Sequence, residues 1–231
     1  MHHSALKNSQ EFYDCYSPFF GGDIVRVVEI GAQNVNGSIR DACPENFEYT
    51  GIDFVAGNGV DIVLDDPYKL PLNAESADIV VSSSCFEHAE MFWVLFLEIM
   101  RILKPRGLFY LNAPSNGSFH RYPVDCWRFY PDSGKALEKW ARHNHLDTVL
   151  LESYVSDQTD DQWNDFVAVF LKDEGFLSDF PKRIVEQKED FNNGVVYGSS
   201  ELMKPIFISE DVKKLLAIEL IIKKQIKINM T

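Results

Sequence analysis

Residues 25–31 read Val-Arg-Val-Val-Glu-Ile-Gly, a β-branched apolar run that ends in a glycine. This pattern is typical of a buried strand that passes directly into a loop. Further strands are predicted at 49–54, 60–64, 78–82 and 108–111, and helical spacing of apolar residues appears between some of them. Strands that alternate with helices predict a mostly parallel sheet with helices on both faces, the doubly wound α/β architecture.

Two late strands and several helices complete the predicted architecture. The strands at 146–154 and 166–172 bring the sheet to seven. Because they follow each other closely, one of them is expected to return antiparallel at an edge of the sheet. The predicted helices cover 5–17, a short segment from 37 or 38, 91–103, 131–143 and 209–228.

The chain divides into three parts by the strength of these patterns. A helical lead-in covers 1–24, the α/β domain covers 25–175, and a C-terminal extension covers 176–231. Residues 173–206 are polar and show no clear element. The last helix is amphipathic and is expected to dock on its own domain, with a homodimer contact or a membrane-surface contact as the alternatives, the second disfavoured by the acidic composition. The opening Met-His-His is given no function.

The composition argues against nucleic acids and membranes as binding partners. A formal net charge of −13 over 231 residues repels phosphate backbones and disfavours nucleic acid as a substrate. No apolar run is long enough to span a bilayer, so no stable membrane insertion is expected. The four cysteines are scattered without a Cys-x-x-Cys pair, which predicts free thiols in a cytoplasmic protein and no metal site of that kind.

The loop after the first strand indicates the kind of cofactor. Doubly wound sheets bind ligands at the carboxyl ends of their strands. Gly31 follows the strand and Gly37 opens the next segment, but Gln33 stands where the dinucleotide fingerprint requires a glycine. Glu29, at the strand end, would repel a pyrophosphate and attract a cationic ammonium group. The pattern therefore disfavours a nicotinamide-dependent oxidoreductase and favours S-adenosylmethionine.

Acidic residues also end the next two strands. Asp53 follows the second strand and is suited to accept both hydroxyls of a ribose. Asp65 and Asp66 follow the third strand, where a carboxylate can accept a hydrogen bond from the adenine amine. Three acids at the ends of three consecutive strands are harder to explain as solvated turns than any one of them alone.

Five stretches, in this order, resemble class I S-adenosylmethionine-dependent methyltransferases of the small-molecule "type 11" group. They are 27–31, 49–53, 66–72, 76–88 and 103–107, and the resemblance covers about residues 25–115. The chain departs from that family at Gln33, where the family usually has a second glycine. The resemblance implies a Rossmann-like fold and S-adenosylmethionine as the cofactor.

The resemblance also implies a role for each matching residue. Glu29 and Gly31 would contact the methionine moiety, and Asp53 would bind the ribose. Phe54 would flank the adenine, and Asp66, or alternatively Asp65, would meet its amine. Ser83 would lie near the sulfonium. Gln33 and Gly37 would form the rest of the loop around the cofactor.

Residues 112–130, which we call the acceptor loop, are dense in chemically capable side chains and follow a strand at the ligand-binding edge. His120 is the first candidate for a general base, oriented by Asp125, and His88 is the second. The aromatic rings can stack on sugar faces, and an arginine can bind a phosphate group. The substrate-binding candidates are Arg121, Tyr122, Trp127 and Arg128. The alternative is a structural loop sealed by an Arg–Asp pair.

This loop resembles that of bacterial methyltransferases associated with glycan and surface-polysaccharide genes. The resemblance implies O-methylation of a sugar or nucleotide-sugar in polysaccharide biosynthesis. Methylation of a carboxylate, an amine or a phosphoryl oxygen remains open, and so does a non-catalytic cofactor-binding scaffold. Whether a divalent metal ion assists is also open, because the loop contains Asp and His side chains.

Overall fold

The computed structural model describes residues 2–22, 24–159 and 162–223, and within them the chain forms one eight-stranded sheet flanked by helices. The strands are β1 (Arg26–Ile30), β2 (Glu48–Asp53), β3 (Ile62–Val63), β4 (Ala77–Ser83), β5 (Leu103–Pro114), β6 (Val149–Ser156), β7 (Asp165–Leu171) and β8 (Phe191–Val196). The α-helices are α1 (His3–Tyr16), α2 (Phe92–Ile102), α3 (Ser133–His143) and α4 (Glu210–Ile222).

The strand order is β3-β2-β1-β4-β5-β7-β6-β8. The first five strands in this order are parallel, β7 runs antiparallel to both β5 and β6, and β8 runs antiparallel to β6. The prediction of a mostly parallel α/β sheet is thus confirmed, but the count of seven strands was wrong. The expected reversed strand also lies between two neighbours rather than at an edge.

The eighth strand falls in the segment that was expected to lack structure. Its sequence, Phe-Asn-Asn-Gly-Val-Val, has no apolar alternation. Pairing with β6 and packing of Phe191 against Tyr154 stabilise this strand instead. Its formation therefore depends on residues that are distant in the sequence. The short helix expected near residue 37 is a 3₁₀ helix, Ile39–Ala42.

The start of β5 also differs from the prediction. Helix α2 ends at Ile102, one residue before its predicted end, and residues 104–107, which precede the predicted strand at 108–111, already belong to β5. A register shift between β4 and β5 accommodates Pro105 there, as prolines in strands commonly sit at bulges.

Two apolar layers cover the two faces of the sheet. On one face Val28, Val80 and Phe109 pack with α2 and α3. On the other face Val27, Val81 and Tyr110 pack with α1 and the 3₁₀ turns after β7. Successive residues of one strand point to opposite faces, so burial on both faces explains why the strands appear as continuous apolar runs.

Helix α4 leaves its apolar side chains exposed. None of its described residues is buried, and Leu215 and Ile222 are 64% and 74% exposed. Its first turn nevertheless contacts the domain, because Asp211 accepts a hydrogen bond from Asn116 at 2.7 Å. Residues 224–228 of the predicted helix lie outside the described residues, and the homodimer contact stays a prediction. No helix of the described residues is long and apolar enough to cross a membrane.

A buried polar contact fixes α1 against the sheet beside the ligand-binding edge. Asn8 is 1% exposed, and its amide donates to the side-chain oxygen of Asn112 at 3.0 Å. The Asn112 amide in turn lies 3.3 Å from the Ser83 hydroxyl at the end of β4. Helix α1 therefore positions two strand ends of the edge through one chain of hydrogen bonds.

Asn8→Ala is expected to lower the free energy of unfolding by about 1–3 kcal/mol, because it leaves the buried Asn112 oxygen without this donor. Urea denaturation followed by circular dichroism would measure the change. Gln10→Ala is the matched control, since Gln10 is exposed and its amide contacts only Asp14 on the same helix. Equal unfolding midpoints for the two variants would contradict this role of Asn8.

Candidate active site

A cavity of about 530 Å³ opens at the carboxyl ends of the parallel strands. Its volume lies within the range of small-molecule sites in proteins. Most of its lining comes from the loop after β1, the ends of β2 and β4, and the acceptor loop, and further residues come from the turn after β3, the start of α1 and the segment before β7. Eleven of the residues predicted for the site line this cavity: Glu29, Gly31, Gln33, Gly37, Asp53, Phe54, Ser83, His88, His120, Arg121 and Tyr122.

Glu29 presents a buried carboxylate at the end of β1. It is 2% exposed, and one of its oxygens accepts a hydrogen bond from the Tyr49 hydroxyl at 2.9 Å. Burial raises the pKa of Glu29 to about 7, because the charged form loses its hydration. A cationic group in the cavity would stabilise the ionised form.

The loop after β1 is shaped by a glycine and an aspartate. Gly31 has a φ of +83°, and a Cβ at this position would lie 2.5 Å from the Cβ of Cys85, so no other residue fits. Asp53 accepts hydrogen bonds from the backbone N–H groups of Gln33 and Val55, each at 3.1 Å. Asp53 thus holds the loop, and its carboxylate retains further acceptor sites toward the cavity it lines.

Gln33, the departure from the glycine pattern, connects the two loops of the site. Its side-chain oxygen accepts a hydrogen bond from the Tyr122 hydroxyl at 2.7 Å. The side chain that replaces the expected glycine therefore fixes the acceptor loop over the cavity.

Asp65 and Asp66 do not line the cavity. Both are exposed, and a side-chain oxygen of Asp66 accepts the backbone N–H of Tyr68 at 2.9 Å within its own turn. The wall after β3 is formed instead by Leu64, Pro67 and Tyr68.

Several hydrogen bonds attach the acceptor loop to the turn after β4. The backbone N–H groups of Cys126 and Trp127 both donate to the carbonyl of Glu87, at 2.8 and 3.1 Å. The Nδ1 atom of His88 lies at hydrogen-bond distance from the carbonyl of Val124. These contacts fix the positions of Glu87 and His88 relative to the loop.

Asp125 and Arg128 form the ion pair that seals the loop. Arg128 binds both carboxylate oxygens of Asp125, at 2.6 and 2.9 Å, and also donates to the carbonyl of Ser118. The hydrogen bonds from Arg128 lower the pKa of Asp125 to about 2. Asp125 contacts His120 mainly through the backbone N–H, at 2.7 Å, whereas its distance to the ring is 3.5 Å.

Trp127 also lies outside the cavity lining. Its indole N–H donates to the carbonyl of Ala89 at 3.0 Å, and its ring packs edge-on against Phe92. Asp125, Trp127 and Arg128 therefore have structural contacts within the loop, as expected for the alternative of a structural loop sealed by an Arg–Asp pair. Arg121 and Tyr122 remain at the exposed rim of the cavity.

The two candidate histidines meet inside the cavity, with ring centroids 5.1 Å apart. The Nδ1 atom of His120 lies 3.1 Å from the carbonyl of Ser118, as that of His88 lies near the carbonyl of Val124. In a neutral ring, a nitrogen beside a carbonyl carries the proton, and the other nitrogen, here Nε2, then has the lone pair. Burial lowers the pKa of His88, which favours this neutral form.

Three further residues at the site were not predicted from the sequence. Glu87 is 1% exposed, its Oε2 atom has no hydrogen-bond partner, and burial raises its pKa to about 8. His2 and Trp163 stack with ring centroids 4.8 Å apart and both line the cavity. Of the three, only Glu87 could have been identified from the sequence, because it lies next to His88 directly after a strand. His2 and Trp163 come from segments without a motif.

Comparisons with known proteins agree with this architecture. Residues 30–111 match a family model described as a methyltransferase domain. No curated protein sequence matches the chain. Among solved structures, the Burkholderia thailandensis 1,6-didemethyltoxoflavin-N1-methyltransferase, with S-adenosylhomocysteine bound, has a TM-score of 0.55 at 13% identity, covering 74% of this chain and 79% of that chain.

Two other structures have the same fold. A SAM-dependent methyltransferase from Archaeoglobus fulgidus has a TM-score of 0.50 at 16% identity, covering 71% of this chain and 93% of that chain. The [4+2]-cyclase SpnF has a TM-score of 0.52 at 13% identity, covering 73% and 81%. The family model matches residues 30–111 and the three structures share the fold, and neither comparison identifies the acceptor.

Proposed function

We propose that this chain transfers a methyl group from S-adenosylmethionine to a hydroxyl of a small molecule, with a sugar or nucleotide-sugar as the acceptor class. The observation that carries the proposal is the pair of imidazoles, His88 and His120, each with Nδ1 beside a backbone carbonyl, in the cavity that Glu29 and Asp53 also line. One cavity thus offers carboxylates for a cationic cofactor and nitrogen lone pairs for an acidic hydrogen.

The residues at the strand ends fit the cofactor. The buried carboxylate of Glu29 suits the ammonium group of a methionine moiety, because a buried charge needs a partner. The acceptor sites that remain on Asp53 suit ribose hydroxyls, and Phe54 and Tyr68 supply aromatic wall for a purine. When bound, S-adenosylmethionine supplies an electrophilic methyl group on a sulfonium. Ser83, at the end of β4, would lie on the sulfonium side.

The acceptor hydroxyl has to lose its proton as it is methylated. In the proposed reaction its oxygen forms the new O–C bond while the C–S bond breaks, and the electron pair of that bond stays on sulfur. Nε2 of His120 is the proposed proton acceptor, because an imidazole nitrogen can act as a general base. Asp125 helps by holding the His120 backbone in place.

The rim of the cavity supports a polar, ring-shaped acceptor. Tyr122 presents an aromatic ring there, and Arg121 adds a cation at the exposed edge. Aromatic rings stack on the apolar faces of sugars, and a guanidinium binds phosphate oxygens in pairs. A nucleotide-sugar combines both features, which is why it is the proposed acceptor class over a simple amine or carboxylate.

Calorimetric titration with S-adenosylmethionine, S-adenosylhomocysteine and NAD tests the cofactor. We expect micromolar binding of the first two and a loss of at least about tenfold in Asp53→Asn, since a charge-assisted hydrogen bond is removed. Asp66→Asn is the matched control and should stay within about twofold of wild type, because Asp66 is exposed outside the cavity. A preference for NAD would refute the proposed function.

Release of S-adenosylhomocysteine in the presence of candidate acceptors tests the reaction. Nucleotide-sugars should stimulate release above the rate without acceptor, and amines or carboxylic acids should not. Cofactor binding without release for any acceptor would favour a non-catalytic scaffold.

A further inference from the structure

Three side chains that could bind a metal ion meet beside the cavity, and two of them, His88 and His120, line it. They are Glu87, His88 and His120, and one ligand atom from each lies within 4.8 Å of those from the other two. We propose that these three residues bind a divalent first-row transition-metal ion, and that this ion contacts the oxygen to be methylated. Two imidazoles and one carboxylate form a facial set that such ions accept, with open positions for water or substrate.

Both histidines have the orientation found in metal ligands. A ligating histidine usually donates its second ring N–H to a carbonyl or carboxylate, which fixes the tautomer and directs the free nitrogen to the ion. His88 does so toward Val124 and His120 toward Ser118. Arg128 also binds the Ser118 carbonyl, and this contact adds rigidity to the second of these supports.

Glu87 supplies the negative charge. Its Oε1 atom lies 3.7 Å from Nε2 of His88, and its Oε2 atom is buried without a hydrogen-bond partner. A buried carboxylate oxygen without a partner is unfavourable, and coordination to a cation would compensate for it. The nearby guanidinium of Arg128 is already bound to both oxygens of Asp125.

The protein holds the three ligands in place without the ion. Glu87 and His88 are adjacent on the turn after β4, and their backbone and ring contacts attach them to the loop that carries His120. Sites whose ligands are supported in this way lose little entropy on binding. The sequence did not predict the cluster, because its members come from two loops and follow no metal-binding spacing.

The catalytic consequence rests on the proposed function, whereas binding of the ion does not. An acceptor hydroxyl bound to the ion would lose its proton to water at the cavity mouth, with the O–H electron pair staying on the oxygen. Divalent ions lower the pKa of bound water and hydroxyl groups by several units. The two histidines would then act as ligands, and direct proton transfer to His120 would not be needed.

Titration of the chelator-treated, dialysed protein with Zn²⁺, Co²⁺ and Mg²⁺ tests binding. We expect one equivalent of Zn²⁺ and of Co²⁺ to bind, with visible absorption from the bound Co²⁺, and at least about tenfold weaker binding in Glu87→Gln and in His120→Asn. The control is His145→Asn, because His145 is exposed and its positive φ of 63° suits asparagine. A second control is the double variant His2→Ala/His3→Ala. It removes the pair of histidines at the N-terminus, of which His2 also lines the cavity.

The outcomes separate the two proposals. Binding that is unchanged in Glu87→Gln, or that is lost only in the His2/His3 variant, overturns the metal site, provided that near-ultraviolet circular dichroism shows folded variants. Full methyl transfer by the chelator-treated protein overturns the catalytic part and leaves the proposed function standing. Metal binding without any affinity for S-adenosylmethionine overturns the proposed function and leaves the metal site standing.

Discussion

Replacing His120 by alanine is expected to lower the rate of methyl transfer by about 10²–10⁴-fold, while the affinity for S-adenosylmethionine stays within about threefold of wild type. His120 is one of the two histidines that line the cavity, and the proposed cofactor contacts, Glu29 and Asp53, lie on strands β1 and β2. The measurement is the initial rate of S-adenosylhomocysteine release at saturating cofactor, with calorimetry for the affinity.

Companion variants distinguish a base from a metal ligand. If His120 acts alone as the base, Glu87→Gln retains most of the rate; if the ion acts, Glu87→Gln, His88→Ala and His120→Ala all lose it to a similar extent. Residues that act as one unit show non-additive losses, so the double histidine variant would then be no slower than the worse single variant. His143→Ala, at an exposed position on α3, is the control. A His120→Ala enzyme with the wild-type rate would remove His120 from the reaction under either mechanism.

The strands were predictable where burial on both faces made them apolar. Residues 25–31 and 78–82 are such runs, and they form β1 and β4 at the centre of the sheet. Strand β8 was not predictable, because Asn192, Asn193 and Gly194 form no apolar pattern and depend on pairing with β6. Local sequence thus indicates a strand only when the strand's own residues are apolar enough to be buried.

The site residues follow the same distinction. Glu29, Gly31 and Asp53 were placed at the cavity from their positions at strand ends, and the structure has them there. The same reasoning placed Asp65 and Asp66 near the adenine amine, but both residues lie exposed in a turn that is outside the cavity lining. His2 and Trp163 reach the cavity only through the packing of α1 and the segment before β7, which no strand-end rule describes.

The acceptor loop shows how one composition can serve two purposes. The same stretch supplies His120 and Tyr122 to the cavity and uses Asp125, Trp127 and Arg128 to hold them there. The sequence identified the dense loop but could not separate the groups that contact ligands from those that support them. That separation depends on which side chains are already bound to each other.

Glu29→Gln is expected to weaken S-adenosylmethionine binding by about 10–100-fold and, at the same time, to stabilise the ligand-free protein at alkaline pH. The loss of affinity follows from removing the charge-assisted contact with the cofactor's ammonium group, worth about 1.5–3 kcal/mol. The gain in stability follows from burial, which raises the pKa of Glu29 to about 7. The native state therefore retains a proton that the unfolded chain releases near pH 4.5.

The sign of the pH effect follows from this proton. As the pH rises from about 4.5 through 7, the unfolded state gains stability relative to the native state, which is left with a buried charge at Glu29. Wild type loses unfolding free energy on the order of 3 kcal/mol over this window, and the uncharged glutamine does not. The contributions of Glu87 and Glu152 are common to both proteins and cancel in the comparison.

Urea denaturation at pH 5 and pH 8.5, together with calorimetry between pH 6 and 7.5, measures both effects. We expect similar unfolding midpoints at pH 5, a higher midpoint for Glu29→Gln at pH 8.5, and a cofactor affinity that rises with pH in wild type only. Tyr49, Arg40 and Asp53 also face this carboxylate and are unchanged in the variant. Glu48→Gln, at an exposed position beside β1, should behave as wild type. Undiminished affinity in Glu29→Gln at pH 7.5 would place the ammonium group elsewhere, whereas lost affinity without the gain in stability would mean that a charge already compensates Glu29 in the ligand-free protein.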